Sequence, residues 1–172
     1  DKPDLRNPLV IQDFTEIFAN CEFGAFANKT IKAIVVPNGA SQGRKFFDNM
    51  TLFATEEVGA KGLAWIKFDE EENFVGGIAK FITDDIKEKL INDFNAKENS
   101  SIFFIADEFK TAQKIAGLVR IELGKRLDLI EKEAYRFCLI VDFPMYELSD
   151  EGTIDFNHNP FSMPQGGLEA LN

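Results

Sequence analysis

The chain reads as an α+β domain, a mostly antiparallel sheet with helices on one face. Three observations predict this. Residues 31 to 124 run strand, helix, strand, strand, helix, strand, helix. The apolar runs 62–68 and 74–80 are joined only by the acidic turn "DEEEN", and a connection that short forces an antiparallel pair. A doubly wound nucleotide fold lacks its phosphate loop, because "NGASQGR" supplies neither GxGxxG nor a following GKS or GKT.

Each element has a local reason. "DKPDLRNPLVI" is extended, since residues before proline avoid the helical region and Pro3 and Pro8 lie five positions apart; it reads as a linker or sheet edge. In "DFTEIF", Asp13 stands three residues before Glu16, the pattern of a short helix start. "IKAIVV" (31–36) is a β-branched strand ended by Pro37 and Gly39. Phe46, Phe47, Met50, Phe53, Ala54 and Val58 recur at helical spacing, with Gly59 as the stop. "GLAWIKF" is a strand and "FVGGIAKF" a glycine-loosened one. "TDDIKEKLINDF" opens with a capping Thr83 and two acids that suit the positive end of a helix dipole. "SIFFIAD" is a buried strand, followed by an amphipathic helix from an Asp107 cap to a Gly124 stop. "RFCLIVDFP" predicts a long last strand with Cys138 in the core, and "TIDF" a short one.

Composition bounds the function. A length of 172 residues, 45% hydrophobic, supports one core or one domain plus pieces of another. A formal net charge of −10 works against a module whose main task is to grip phosphates. Cys21 and Cys138 show no CxxC spacing and no secretory leader precedes them, so reduced thiols in a soluble, cytoplasmic protein are expected. No apolar run approaches the roughly 20 residues needed to span a bilayer. The chain starts without an initiator Met, which leads to the expectation that an N-terminal portion has been removed.

The candidate site residues each carry a bland alternative. His158, the sole histidine, lies in "FNHNPFSMP" as a metal ligand, a general base or an uninvolved loop residue. Without a second His or a Cys pair nearby the metal reading is poor, and residue physics alone favours the uninvolved one. Asp142 and Glu147 are paired acids suited to proton transfer, or simply acids where a strand meets solvent. Arg44 and Lys45 follow a glycine-containing turn at a helix start, where free N–H groups attract anions. First-turn cations are more often merely solvated.

Resemblance adds what these patterns do not. "DKPDLRNP" (1–8), "DFPMYE" and "FNHNPFSMP" (142–164) resemble the stretches flanking the insertion in bacterial-type aspartyl-tRNA synthetases. Between them, "VPNGASQGRKFFD", "GAKGLAWIKF", "IFFIAD" and "LVRIELGKRLDL" are similar to the inserted GAD domain, which is shared with subunits of a tRNA-dependent amidotransferase. The resemblance implies a two-layer GAD module at 25–135 between strips of a class II antiparallel catalytic domain at 1–24 and 136–172. It implies a cytoplasmic, homodimeric parent enzyme that activates L-aspartate with ATP and Mg2+ and transfers it to the 3′ end of tRNA, with no DNA or membrane partner. The alternative is a non-catalytic tRNA adaptor of the amidotransferase, which would have no reason to carry the flanks.

In that family two adjacent histidines usually precede Pro-Phe, the first holding the substrate aspartate. His158 takes that first position. Asn159 replaces the second, and it can exchange hydrogen bonds but cannot take up charge near a carboxylate. The resemblance implies no catalytic residue, no metal ligand and no bound cofactor here. The arginines and acids of the catalytic motifs are expected outside residues 1–172, so the chain alone is expected to be inert. Arg44 and Lys45 are the candidate tRNA phosphate contacts, with Lys125 and Arg126 as a further basic pair.

Overall fold

Strands β2 (Thr30–Val36) and β5 (Ser101–Asp107) are nearly continuous apolar runs, the pattern of strands buried on both faces rather than on one. The computed structural model describes residues 4–157 and 166, apart from 70, 72, 95, 97, 98, 140, 142, 143 and 150. Its sheet runs β1-β2-β5-β3-β4, with β1 at Ile11–Asp13, β3 at Ala64–Phe68 and β4 at Phe74–Val75. Every neighbouring pair is antiparallel. The chain packs as two units, Asp1–Tyr135 and Arg136–Asn172.

The mixed α+β class and the antiparallel sheet are as the sequence predicts, but helices on one face only are not. Helices α1 (Arg44–Leu52) and α3 (Phe109–Arg126) seat Phe47, Met50, Ala116 and Val119 on Ile34, Phe103 and Ile105. Against the opposite face, α2 (Asp84–Asn92) and the turns of residues 14–26 place Ile86, Leu90, Phe14, Phe18 and Phe26 on Ile31, Ile102 and Phe104. The result is three layers, not two. Successive side chains of a strand point to opposite faces, so a run such as "IFFI" needs two covers.

Local chemistry corrects several boundaries. Asp13 Oδ1 accepts from the Thr15 backbone N–H at 2.9 Å and from Thr15 Oγ1 at 2.6 Å, making an Asx turn instead of a helix cap. Helix α2 does start at Thr83, whose Oγ1 accepts from the Ile86 N–H at 3.4 Å. The helix after β2 ends in a π-helical turn, Phe53–Glu57. Strand β4 stops at Gly76 (φ +94°), where a Cβ would collide with the Trp65 ring. Asp107 does not cap α3; its Oδ1 takes the Glu108 N–H and the Lys61 ammonium, both within 2.9 Å.

Gly124 is no helix stop either, since α3 continues to Arg126. Its missing side chain makes room for Asn7, which is 3% exposed. Asn7 Nδ2 donates to the Arg120 carbonyl at 2.9 Å, and its Oδ1 accepts from the Leu9 N–H at 3.1 Å. Arg120 in turn donates to the carbonyls of Asp4, Asn7 and Leu9. The stretch expected as linker is therefore clasped to α3. With β1 in the sheet and Phe14 and Phe18 in the core, packing shows no division at residue 24.

In the second unit, β6 (Tyr146–Leu148) and β7 (Ile154–Phe156) form a hairpin. The long strand predicted over 136–144 is not formed by its described residues: Phe137 and Leu139 are each 92% exposed. Cys138, expected in the core, is exposed as well. A strand needs a neighbour to hydrogen-bond, and a period-two apolar pattern alone does not supply one.

Two glycines of α3 should respond with opposite sign. Gly124→Ala puts a methyl group on the Asn7 amide and is expected to cost about 1–3 kcal/mol. Gly117→Ala meets open space and should gain up to about 1 kcal/mol from helix propensity. Urea denaturation of both variants checks this, and equal shifts would contradict the clasp.

Candidate functional site

The turn between β2 and α1 carries the two cations that the sequence offers for a phosphate, Arg44 and Lys45. Asn38 adopts the left-handed conformation (φ 58°), open to asparagine more than to most residues. Gly39 then passes so close to Ser101 that any side chain would strike the Ser101 hydroxyl. The Ala40 N–H donates to the Asn99 carbonyl at 2.8 Å, tying the turn to the residues before β5.

Lys67, from β3, holds the turn from below. Its ammonium donates to the carbonyls of Ala40 at 3.0 Å and Gln42 at 2.5 Å, and sits 4.8 Å from the centroid of the Phe47 ring. Burial lowers its pKa from the ordinary lysine value. The charge thus serves the backbone. Gly43 then opens α1 with no side-chain cap; its carbonyl accepts from the Phe46 N–H at 2.9 Å, and the Arg44 and Lys45 N–H groups have no capping oxygen.

Arg44 and Lys45 are both exposed on that first turn. Arg44 Nε lies 3.7 Å from Asp48 Oδ2, a solvated pair of small energetic weight that leaves the guanidinium available. The site can offer two exposed cations and the positive end of a helix to a phosphate. Arg126 has different work: it donates to Glu122 Oε1 at 2.7 Å and lies 5.6 Å from the centroid of Phe53.

The aspartate-binding residues predicted from resemblance, His158 and Asn159, lie outside the described residues, as does Asp142. Glu147 is exposed on β6, opposite Asp155 of β7. Among the described residues no three His, Cys, Asp or Glu side chains group together to hold a metal ion, and no helix is long and apolar enough to cross a membrane. Sequence reasoning missed Lys67 and Arg120. Their only signal was a cation in an otherwise apolar strand or helix stripe, which gives no hint of the carbonyls it meets.

Residues 24–116, more than half of the chain, match the GAD domain. The chain is 51% identical over 172 residues to the aspartate–tRNA ligase of Streptomyces avermitilis and 48% identical over 172 residues to that of Streptomyces coelicolor. It is 50% identical over 177 residues to the aspartate–tRNA(Asp/Asn) ligase of Rickettsia bellii. Each match takes in 99% of this chain and 29% of the relative, so the chain spans less than a third of the length of these proteins.

Lys67→Met keeps the stem and removes the ammonium. The expected outcome is amide exchange at residues 40–42 that is faster by about tenfold, equivalent to about 1.4 kcal/mol of local stability, while β5 stays protected. Unchanged exchange in the turn would show that Lys67 does not hold it.

Proposed function

The chain belongs to the GAD domain family, and on that premise we propose that it is a section of an aspartate–tRNA ligase carrying the inserted accessory domain. The observation that carries this reading is the continuous match to ligases over 99% of the chain, flanks included. An amidotransferase adaptor would need only the GAD module. Further support comes from the Glu131 N–H, which donates to the Arg6 carbonyl at 3.0 Å. The segments that lead into and out of the first unit run side by side there, as an insertion requires.

The parent enzyme would activate L-aspartate with ATP to the aspartyl-adenylate and pass it to the 3′ end of tRNA. In it His158 would bind the substrate aspartate and Asn159 would support that contact by hydrogen bonding. ATP and Mg2+ would be held by the arginines and acids of the catalytic motifs, which the resemblance puts outside residues 1–172. No transition-state clamp for the reacting phosphate is assigned to this chain, and it should be inactive alone. The parent is read as a cytoplasmic homodimer.

Arg44 and Lys45 would touch the tRNA backbone. Such contacts position the nucleic acid without reading its sequence. In a chain of net charge −10 they would add modest, salt-sensitive affinity to what the parent provides.

Two experiments test this reading. The full-length parent should form aspartyl-tRNA while the 172-residue chain forms none, and His158→Ala in the parent should raise KM for aspartate by about tenfold or more, the cost of one charge-assisted hydrogen bond. An unchanged KM would remove His158 from the aspartate site. Separately, tRNA binding followed by Trp65 emission should weaken as salt rises, and Arg44→Ala and Lys45→Ala should each reduce the log–log salt slope by about 1. A slope untouched by both substitutions would place the tRNA elsewhere.

A further inference from the structure

Between the outer edge of β1 and the length of α3 lies an open groove of about 750 Å3. Its floor is apolar and solvent-exposed: Val10 is 63% exposed, and Leu5, Leu118 and Ile121 each about 40%. Lys110 and Lys114 stand along one side of it, on the same stripe of α3. An apolar furrow with two cations is unusual on a chain that carries ten net negative charges.

The strand beside the groove is unfinished. β1 ends the sheet and has β2 as its one neighbour. The Phe14 N–H donates to the Ile31 carbonyl at 2.8 Å, so even-numbered residues here turn their backbone groups toward β2 and odd-numbered ones turn outward. At Leu9 those outward groups are already taken by Asn7 and Arg120. The open edge is short, Ile11 and Asp13, because the Thr15 N–H already donates to Asp13 Oδ1.

We propose that the groove takes a sixth strand, an extended segment of the parent polypeptide from outside residues 1–172. It would pair with the edge of β1 at Ile11, lay alternate apolar side chains on Leu118 and Ile121, and set a carboxylate opposite Lys110 and Lys114. This rests on the reading of the chain as part of a longer ligase, and relatives more than three times its length supply the missing polypeptide. Asp4 and Leu5 line the groove where the chain enters the unit, so the remainder of the parent is tethered at its mouth. A helix in the same place would cover Leu118 and Ile121 but strand the Ile11 N–H away from water. A second copy, meeting through the same patch, would bring Lys110 and Lys114 back against a groove that already holds them.

Hydrogen exchange resolved to single residues by mass spectrometry tests this on the 172-residue chain and on the full-length parent. The Ile11 amide is expected to exchange at least tenfold more slowly in the parent, while the Phe103 amide in the central strand exchanges alike in both. In the parent, Ile121→Asp should return Ile11 to fast exchange with Phe103 still protected. If that variant loses Phe103 protection, Lys110→Glu with Lys114→Glu, both fully on the surface, should instead speed Ile11 at least threefold. Equal Ile11 rates in the two proteins overturn the proposal, as does slow exchange that survives these substitutions. Aspartyl-tRNA formed by a parent in which Ile11 stays fast rejects the strand alone; a slow Ile11 in a parent that forms none rejects the ligase reading alone.

Discussion

The first unit depends on strand β5 being enclosed from four directions. Beside it, β2 and β3 complete its hydrogen bonds, both antiparallel to it. Above and below, Phe103 packs at 5.4 Å on Phe47 while Phe104 packs at 5.3 Å on Phe18. These rings carry no polar atom to satisfy, and each buried one is worth about 1.5–3 kcal/mol of transfer free energy. Because β5 sits between β2 and β3 yet follows both in sequence, the sheet cannot close until α1, β3, β4 and α2 have been laid down. The core is thus built from distant contacts, and the surrounding turns need their own fastenings.

Those fastenings use up cations. Lys67 donates to carbonyls under the β2–α1 turn, Arg120 gathers three carbonyls of the N-terminal segment, and Lys32 pairs with Asp13 at 2.6 Å. Burial raises the Asp13 carboxyl, but hydrogen bonds from Lys32 and Thr15 outweigh it and hold the pKa at about 2. A buried carbonyl left without a donor costs more than the bond itself gains, which is why a long cation is retained inside a sheet. Arg126 is likewise held, by Glu122, whereas Arg44 and Lys45 of the α1 turn stay exposed.

How much of this was legible follows from the range of each interaction. Strand β5 reads directly from "SIFFIAD" and α2 from Thr83, because the signal lies within a few residues. The second cover of the sheet was present in the sequence as unbroken apolar runs, but it competed with a simpler pattern of helices on one face. Gly124 shows the opposite limit: a glycine near a helix end reads as a stop, and only the fold brings Asn7 against it from 117 residues away. Arg44 and Lys45 were legible as first-turn cations. The proposed aspartate contact of His158 rests on the "HNPF" resemblance, since one histidine in a polar loop has no physical signature of its own.

The second unit carries the same lesson toward the whole protein. Phe137, Leu139 and Val141 repeat at every second position, the spacing that puts them on one face of a strand, and all are more than 70% exposed. Tyr146, Leu148, Ile154 and Phe156 of the hairpin are exposed too, and on the same hairpin Glu147 faces Asp155 across the ladder, like charge opposite like charge. A solitary hairpin with an apolar face is at best marginally stable in water. Neighbouring strands would be needed to pair the backbone of such a stretch and to cover its apolar side chains. The first unit encloses its own central strand. The second leaves the apolar side chains of its described residues uncovered.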